Sequence, residues 1–290
     1  MATAAHGSLL IVTIRVSKRI ICACLFCLLS PALGAGAGPR RCDDDLKAVS
    51  DFKHLTDDTV NALPRFRYSK RLQRLLDRAE SASKVPIRFT QLPANFPNTS
   101  ATEATRQERV IALRVGMGAA LEENAIAHEL FHIILQGRGF AAMVHVSEAK
   151  VQGDARWLPE LGYTITSCVD DALIDRRMAN LGFDPKVLNH DAAENLKRQP
   201  PVAPNDPIAF NGTALLVVCY SHRLRAPSDQ IQQTWAQISP AVAQRSEVLA
   251  KQIGDIGCND ARTCLDRKKR VRDALGYPIT FCNPATGEDE

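Results

Sequence analysis

The sequence predicts an α+β fold, mostly helical, with a small β-sheet, a helix bearing His128-Glu129-Leu130-Phe131-His132 and a helical C-terminal part. Three observations predict it. Strand-like alternation occurs at Pro86–Leu92, and Val110–Val115, ended by a glycine turn, is a second strand candidate. A long apolar segment from Ala119 to Gln136 ends at Gly137 and Gly139, as helices do. After a Pro-rich break at 199–204, the last third is mainly helical in pattern, with no repeat and no low-complexity tract.

The first element is a leader. Arg15, Lys18 and Arg19 precede an apolar run, Ile20 to Leu29, and small residues follow to Gly38. That order is a secretory signal, with Ala35-Gly36-Ala37 as a small-x-small cleavage site. Residues 1–37 are therefore expected to be removed. The alternative is an uncleaved anchor, although the apolar run is shorter than the ~20 residues that span a bilayer. Residues 38–197 are expected to form one domain. Residues 198–290 form a helical extension, or a further part of that domain.

Most of the formal charge of +4 belongs to the leader, which contains no acid. The remainder is near neutral and carries no basic stripe, so no nucleic-acid partner is expected. The run Asp266 to Arg272 reads as the solvated face of a C-terminal helix. Composition, 45% hydrophobic and 23% charged, excludes a disordered or collagen-like chain. Nine cysteines are present, and Cys22, Cys24 and Cys27 lie in the leader. The six others, Cys42, Cys168, Cys219, Cys258, Cys264 and Cys282, permit three disulfides in an exported chain, without revealing their pairing. Having no C-x-x-C pair beyond the leader, they do not suggest a cysteine zinc site.

Asp43 to about Glu80 is mainly helical, broken near Pro64, with Leu72, Leu75 and Leu76 at helical intervals after the break. The strand at 86–92 follows, then a polar loop from Pro93 to Thr105, then the strand at 110–115. Glu122 and Glu123 begin the next helix, where the dipole favours negative charge. Residues 140–166 have no clear period, and Cys168 to Leu181 is another helix, stopped by Gly182.

The chemistry concentrates in the apolar helix. His128 and His132 are one turn apart on one face and can aim two imidazoles at one ion, with Glu129 beside them. Three ionisable groups amid Ala125, Ile126, Ala127, Leu130, Phe131, Ile133 and Ile134 need a reason, since unpaired buried charge is expensive.

On this motif, with a strand ahead of it and an acidic helix behind it, the chain resembles the zincin metallopeptidases. The resemblance implies Zn2+ held by His128 and His132, Glu129 as general base, and a peptide or protein substrate. It also implies that the strand at 110–115 is an edge strand lining the cleft. The pattern H-E-x-x-H-x-x-G-x-x-H is not met, because Leu135 and Arg138 stand at the glycine and third-histidine positions. The group that takes an acidic ligand from a downstream helix is the better match. There Asp171 would be the third ligand, and Asp175, one turn on, would orient a ligand histidine through its free N–H. Asp170 is the first competitor for the ligand position, with Glu148, Asp154 and Glu160 behind it. The element order is also similar to that of the ImmA/IrrE-like peptidases, which are commonly intracellular, against the leader and the cysteines here. His145, Tyr163, His190 and Tyr220 are candidates to stabilise an oxyanion. The expectation is an exported zinc peptidase, periplasmic or secreted, touching a membrane only if the leader remains as an anchor. The alternative is a non-catalytic, disulfide-stapled binding protein on the same fold, which would have no use for Glu129.

Overall fold

The computed structural model describes residues 69–92, 99–104, 108–141, 143–146, 157–198, 202, 204–224 and 228–282. The expected leader, Cys42, Pro64, Glu148 and Asp154 lie outside these residues.

Helix α1 (Lys70–Ser83) starts where the Ser69 hydroxyl accepts the Leu72 N–H, and it buries Leu72, Leu75 and Ala79 along one stripe. Strands β1 (Ile87–Leu92), β2 (Ser100–Ala104) and β3 (Arg109–Arg114) form a mixed sheet in the order β1-β3-β2. β1 lies parallel to β3, with Phe89 opposite Ile111; β2 lies antiparallel to it, with Thr102 opposite the same residue. Two sequence expectations are corrected here. β3 is the central strand rather than an edge, and part of the supposed loop at 93–105 is the edge strand β2. Its Ser and Thr give no apolar alternation, because their hydroxyls find their partner in another element.

Helix α2 (Ala119–Gln136) carries the histidine motif. It is buried along most of its circumference, as expected of a helix at the centre of a core rather than on its surface. Ile111 and Leu113 of β3 and Leu72 and Leu75 of α1 pack into the same core. At its end, Gly139 has the positive φ, 82°, that glycine tolerates, whereas Gly137 is right-handed at −63°. Gly137 is needed for another reason: a Cβ there would stand 2.5 Å from the Ala82 carbonyl oxygen of α1. Gly137→Ala is accordingly expected to force the two helices apart and cost about 1–3 kcal/mol. Thermal denaturation checks this, and an unchanged melting temperature would refute the steric account.

The remaining elements are β4 (Met143–Val146), α3 (Leu158–Asn180), α4 (Pro185–Lys197), α5 (Pro207–Leu224), α6 (Ser228–Ile238), α7 (Pro240–Ile253), α8 (Ala261–Leu275) and β5 (Ile279–Cys282). β5 pairs antiparallel with β4. The fold is thus mostly helical with little sheet. Helix α3 begins at Leu158, well before the expected Cys168. Gly162 and β-branched Thr164, Ile165 and Thr166 have modest helix propensity, and burial on several sides erases the amphipathic period. Residues of α7, α8 and β5 share the core of α2, while a smaller cluster around Trp235 joins α4, α5, α6 and α7.

Disulfides join Cys168 of α3 to Cys219 of α5, and Cys258 to Cys264 ahead of and within α8. They suit an oxidising compartment. Among the described residues, no helix is long and apolar enough to cross a membrane. The basic run of α8 is not wholly a solvated face: Lys268 is fully buried.

Candidate metal centre

Helix geometry places His128 and His132 one turn apart, and α3 crosses α2 so that Asp171 meets them. The two Nε2 atoms are 3.1 Å apart. Asp171 Oδ1 lies 3.4 Å from that of His128 and 3.1 Å from that of His132. One donor atom from each residue falls within 4.8 Å of the other two, so the group could hold a metal ion. The side chains of His128, His132 and Asp171 are only 12%, 17% and 10% exposed.

The donor set fits a cation. Asp171 Oδ1 is buried without a hydrogen-bond partner, although it faces both imidazoles. Two imidazole nitrogens and one carboxylate oxygen, converging within 4.8 Å of one another, are ligands of the kind open zinc sites use. Burial acts to raise the Asp171 carboxyl, but the charges of Arg223 and His128 outweigh it and hold the group well below the usual carboxylate range. Burial acts to lower His132; the adjacent Asp171 carboxylate, with the charges of Glu129 and Asp170, outweighs it and pushes the ring up. The pocket is thus anionic toward whatever lies between the rings.

Glu129 is buried and faces β2. Its Oε1 accepts the Ser100 hydroxyl at 2.6 Å and its Oε2 the Thr102 hydroxyl at 2.5 Å. Their alternation along the strand brings both hydroxyls to one face. β2 is itself tied down at its start. The Thr99 hydroxyl donates to Asp191 Oδ2 of α4 at 2.6 Å, and Arg114 of β3 donates to both oxygens of the same carboxylate.

Of the acids that competed for the third ligand position, Asp170 points elsewhere, into a buried ion pair with Lys268 Nζ at 2.8 Å. Glu160 is in the first turn of α3, about 16 Å along the helix axis from Asp171 at 1.5 Å per residue. Asp175 does not take the position expected of it. Its two oxygens accept from Arg223 at 2.9 and 3.0 Å, and Oδ2 also accepts from Asn189 Nδ2 at 2.8 Å. His128 Nδ1, the nitrogen such a carboxylate would orient, is buried without a hydrogen-bond partner. The reason is reach. Asp175 lies a turn beyond Asp171 on α3, toward the last turn of α5, where the Arg223 guanidinium offers a stronger, bidentate partner.

Among the oxyanion candidates, Tyr163 is half-buried on α3 and His190 is exposed on α4. The ring centre of Tyr220 lies 5.8 Å from the guanidinium carbon of Arg223. The side chain of His145 lies outside the described ones. Sequence reasoning missed Ser100, Thr102, Asn189 and Arg223. The last had one faint signal, an arginine in the last turn of a helix whose middle, Ala214 to Cys219, is wholly apolar.

No family model matches the chain, and neither does any curated protein or solved structure.

Proposed function

We propose that this protein is an exported zinc metallopeptidase, with His128, His132 and Asp171 holding Zn2+ and Glu129 acting as general base. The observation that carries the reading is the meeting of the three donor atoms, with the buried carboxylate of Glu129 one residue from His128. Zinc, when bound at such a site, polarises a carbonyl and brings the pKa of a coordinated water to around 7. The chain's own part follows from its residues. Glu129 takes the proton of the attacking water as the C–O bond forms and returns it to the leaving amine as the C–N bond then breaks. Ser100 and Thr102 hold the carboxylate in one orientation for both transfers. A peptide substrate is inferred from the zincin resemblance, and export from the leader pattern together with the two disulfides.

The experiment is elemental analysis of the protein purified without chelators, beside hydrolysis of an unstructured protein such as casein. Stoichiometric zinc in the wild type, its loss in His132→Ala and chelator-sensitive hydrolysis are expected. A wild-type protein without bound metal would refute the proposal, and one that holds zinc yet cleaves no peptide would favour the binding-protein reading.

A further inference from the structure

Asp171 has two oxygens in different situations. Oδ1 faces the imidazoles without a hydrogen-bond partner, whereas Oδ2 accepts Nη1 of Arg223 at 2.7 Å. The Arg223 side chain is only 6% exposed, and its Nε and Nη2 grip both oxygens of Asp175. Asn189 Nδ2 donates to the same Oδ2 of Asp175 that Arg223 Nε contacts. Just upstream, the Cys168–Cys219 disulfide joins the same two helices covalently, three residues before Asp171 and four before Arg223. The register between α3 and α5 that this contact requires is thereby fixed.

Nothing in an aspartate alone decides which oxygen it presents, because its terminal torsion is broad. A donor fixed on Oδ2 decides it. The charges also balance: Asp175 compensates Arg223, so the negative charge of Asp171 is left for the imidazole side. A planar guanidinium can fork onto one carboxylate while a remaining N–H reaches a second, and an ammonium point charge cannot keep that geometry.

We propose that Arg223 is the positioning residue of the metal centre, turning Asp171 so that Oδ1 is presented to the cation, with Asp175 and Asn189 holding Arg223 in place. The inference rests on the reading of His128, His132 and Asp171 as a zinc site. A purely electrostatic role has the opposite sign, since removing a nearby cation would tighten metal binding.

The test is a competition titration of Zn2+ against a chromophoric chelator for wild type, Arg223→Lys and Arg223→Met, with Co2+ absorption spectra of the same proteins. Both variants are expected to bind Zn2+ about 10–100-fold more weakly, the range found when groups behind metal ligands are lost. The Co2+ d–d bands of Arg223→Lys should also shift, while its metal-free melting temperature stays near that of wild type. The lysine variant keeps the charge and carries the test if the methionine variant fails to fold. Wild-type affinity and an unshifted Co2+ spectrum in Arg223→Lys, or tighter binding in either variant, would overturn the positioning role. A wild type that binds neither ion would instead overturn the zinc site itself, before Arg223 comes into question.

Discussion

Glu129→Gln is expected to keep its zinc and to lower peptide hydrolysis by about 10²–10⁴-fold, the usual loss when a positioned general base is removed. The substitution is close to isosteric, and the amide keeps an oxygen for one of the two hydroxyls, Ser100 and Thr102, that now donate to the carboxylate. What it removes is the capacity to accept a proton. Because Glu129 is not among the three converging donors, metal content should not follow activity. Elemental analysis and initial rates on the same preparation decide the matter. Loss of zinc along with activity would mean that Glu129 supports the metal centre rather than the proton transfer, and retained activity would remove it from the chemistry altogether.

The same residue shows how much could be read from the sequence. The boundaries of α2 were legible because local signals agree there: an acidic start, a continuous apolar run and glycines at the close. That His128 and His132 share a face follows from helical periodicity alone. Asp171 is preferred over Asp170 in the sequence only through the resemblance, because adjacent residues on a helix differ by about 100° and only the packing of α3 decides which one faces α2. Packing sends Asp170 to Lys268 and Asp171 to the histidines. β2 was illegible for a different reason. A strand whose inward side chains are Ser100 and Thr102 has no hydrophobic pattern to detect. Arg223 makes its contacts with residues 48 and 52 positions away in sequence, and no local pattern encodes a pairing of that separation.

Lys268 is the other residue that a local reading misplaces, and it leads to the largest stability effect expected. Lys268→Met is expected to destabilise the protein by about 3–5 kcal/mol, the range for removing one partner of a buried ion pair. Lys268 is fully enclosed, donates to Asp170 Oδ2 at 2.8 Å and also bonds the Ala141 carbonyl, so α8, α3 and the segment after α2 meet at one ammonium group. Methionine fills much the same space and leaves the Asp170 carboxylate, 2% exposed, with no cation and no water. The double variant Asp170→Leu/Lys268→Met separates the two contributions. Replacing both charges by apolar groups removes the orphan, so most of the loss should be recovered, leaving mainly the cost of the unsatisfied carbonyl. Chemical denaturation of wild type, single and double variants measures both quantities. A single variant within about 1 kcal/mol of wild type would show that water reaches Asp170 or that the pair is not formed in solution. A double variant no better than the single would mean that the lysine stabilises through the carbonyl and its own packing rather than through the carboxylate.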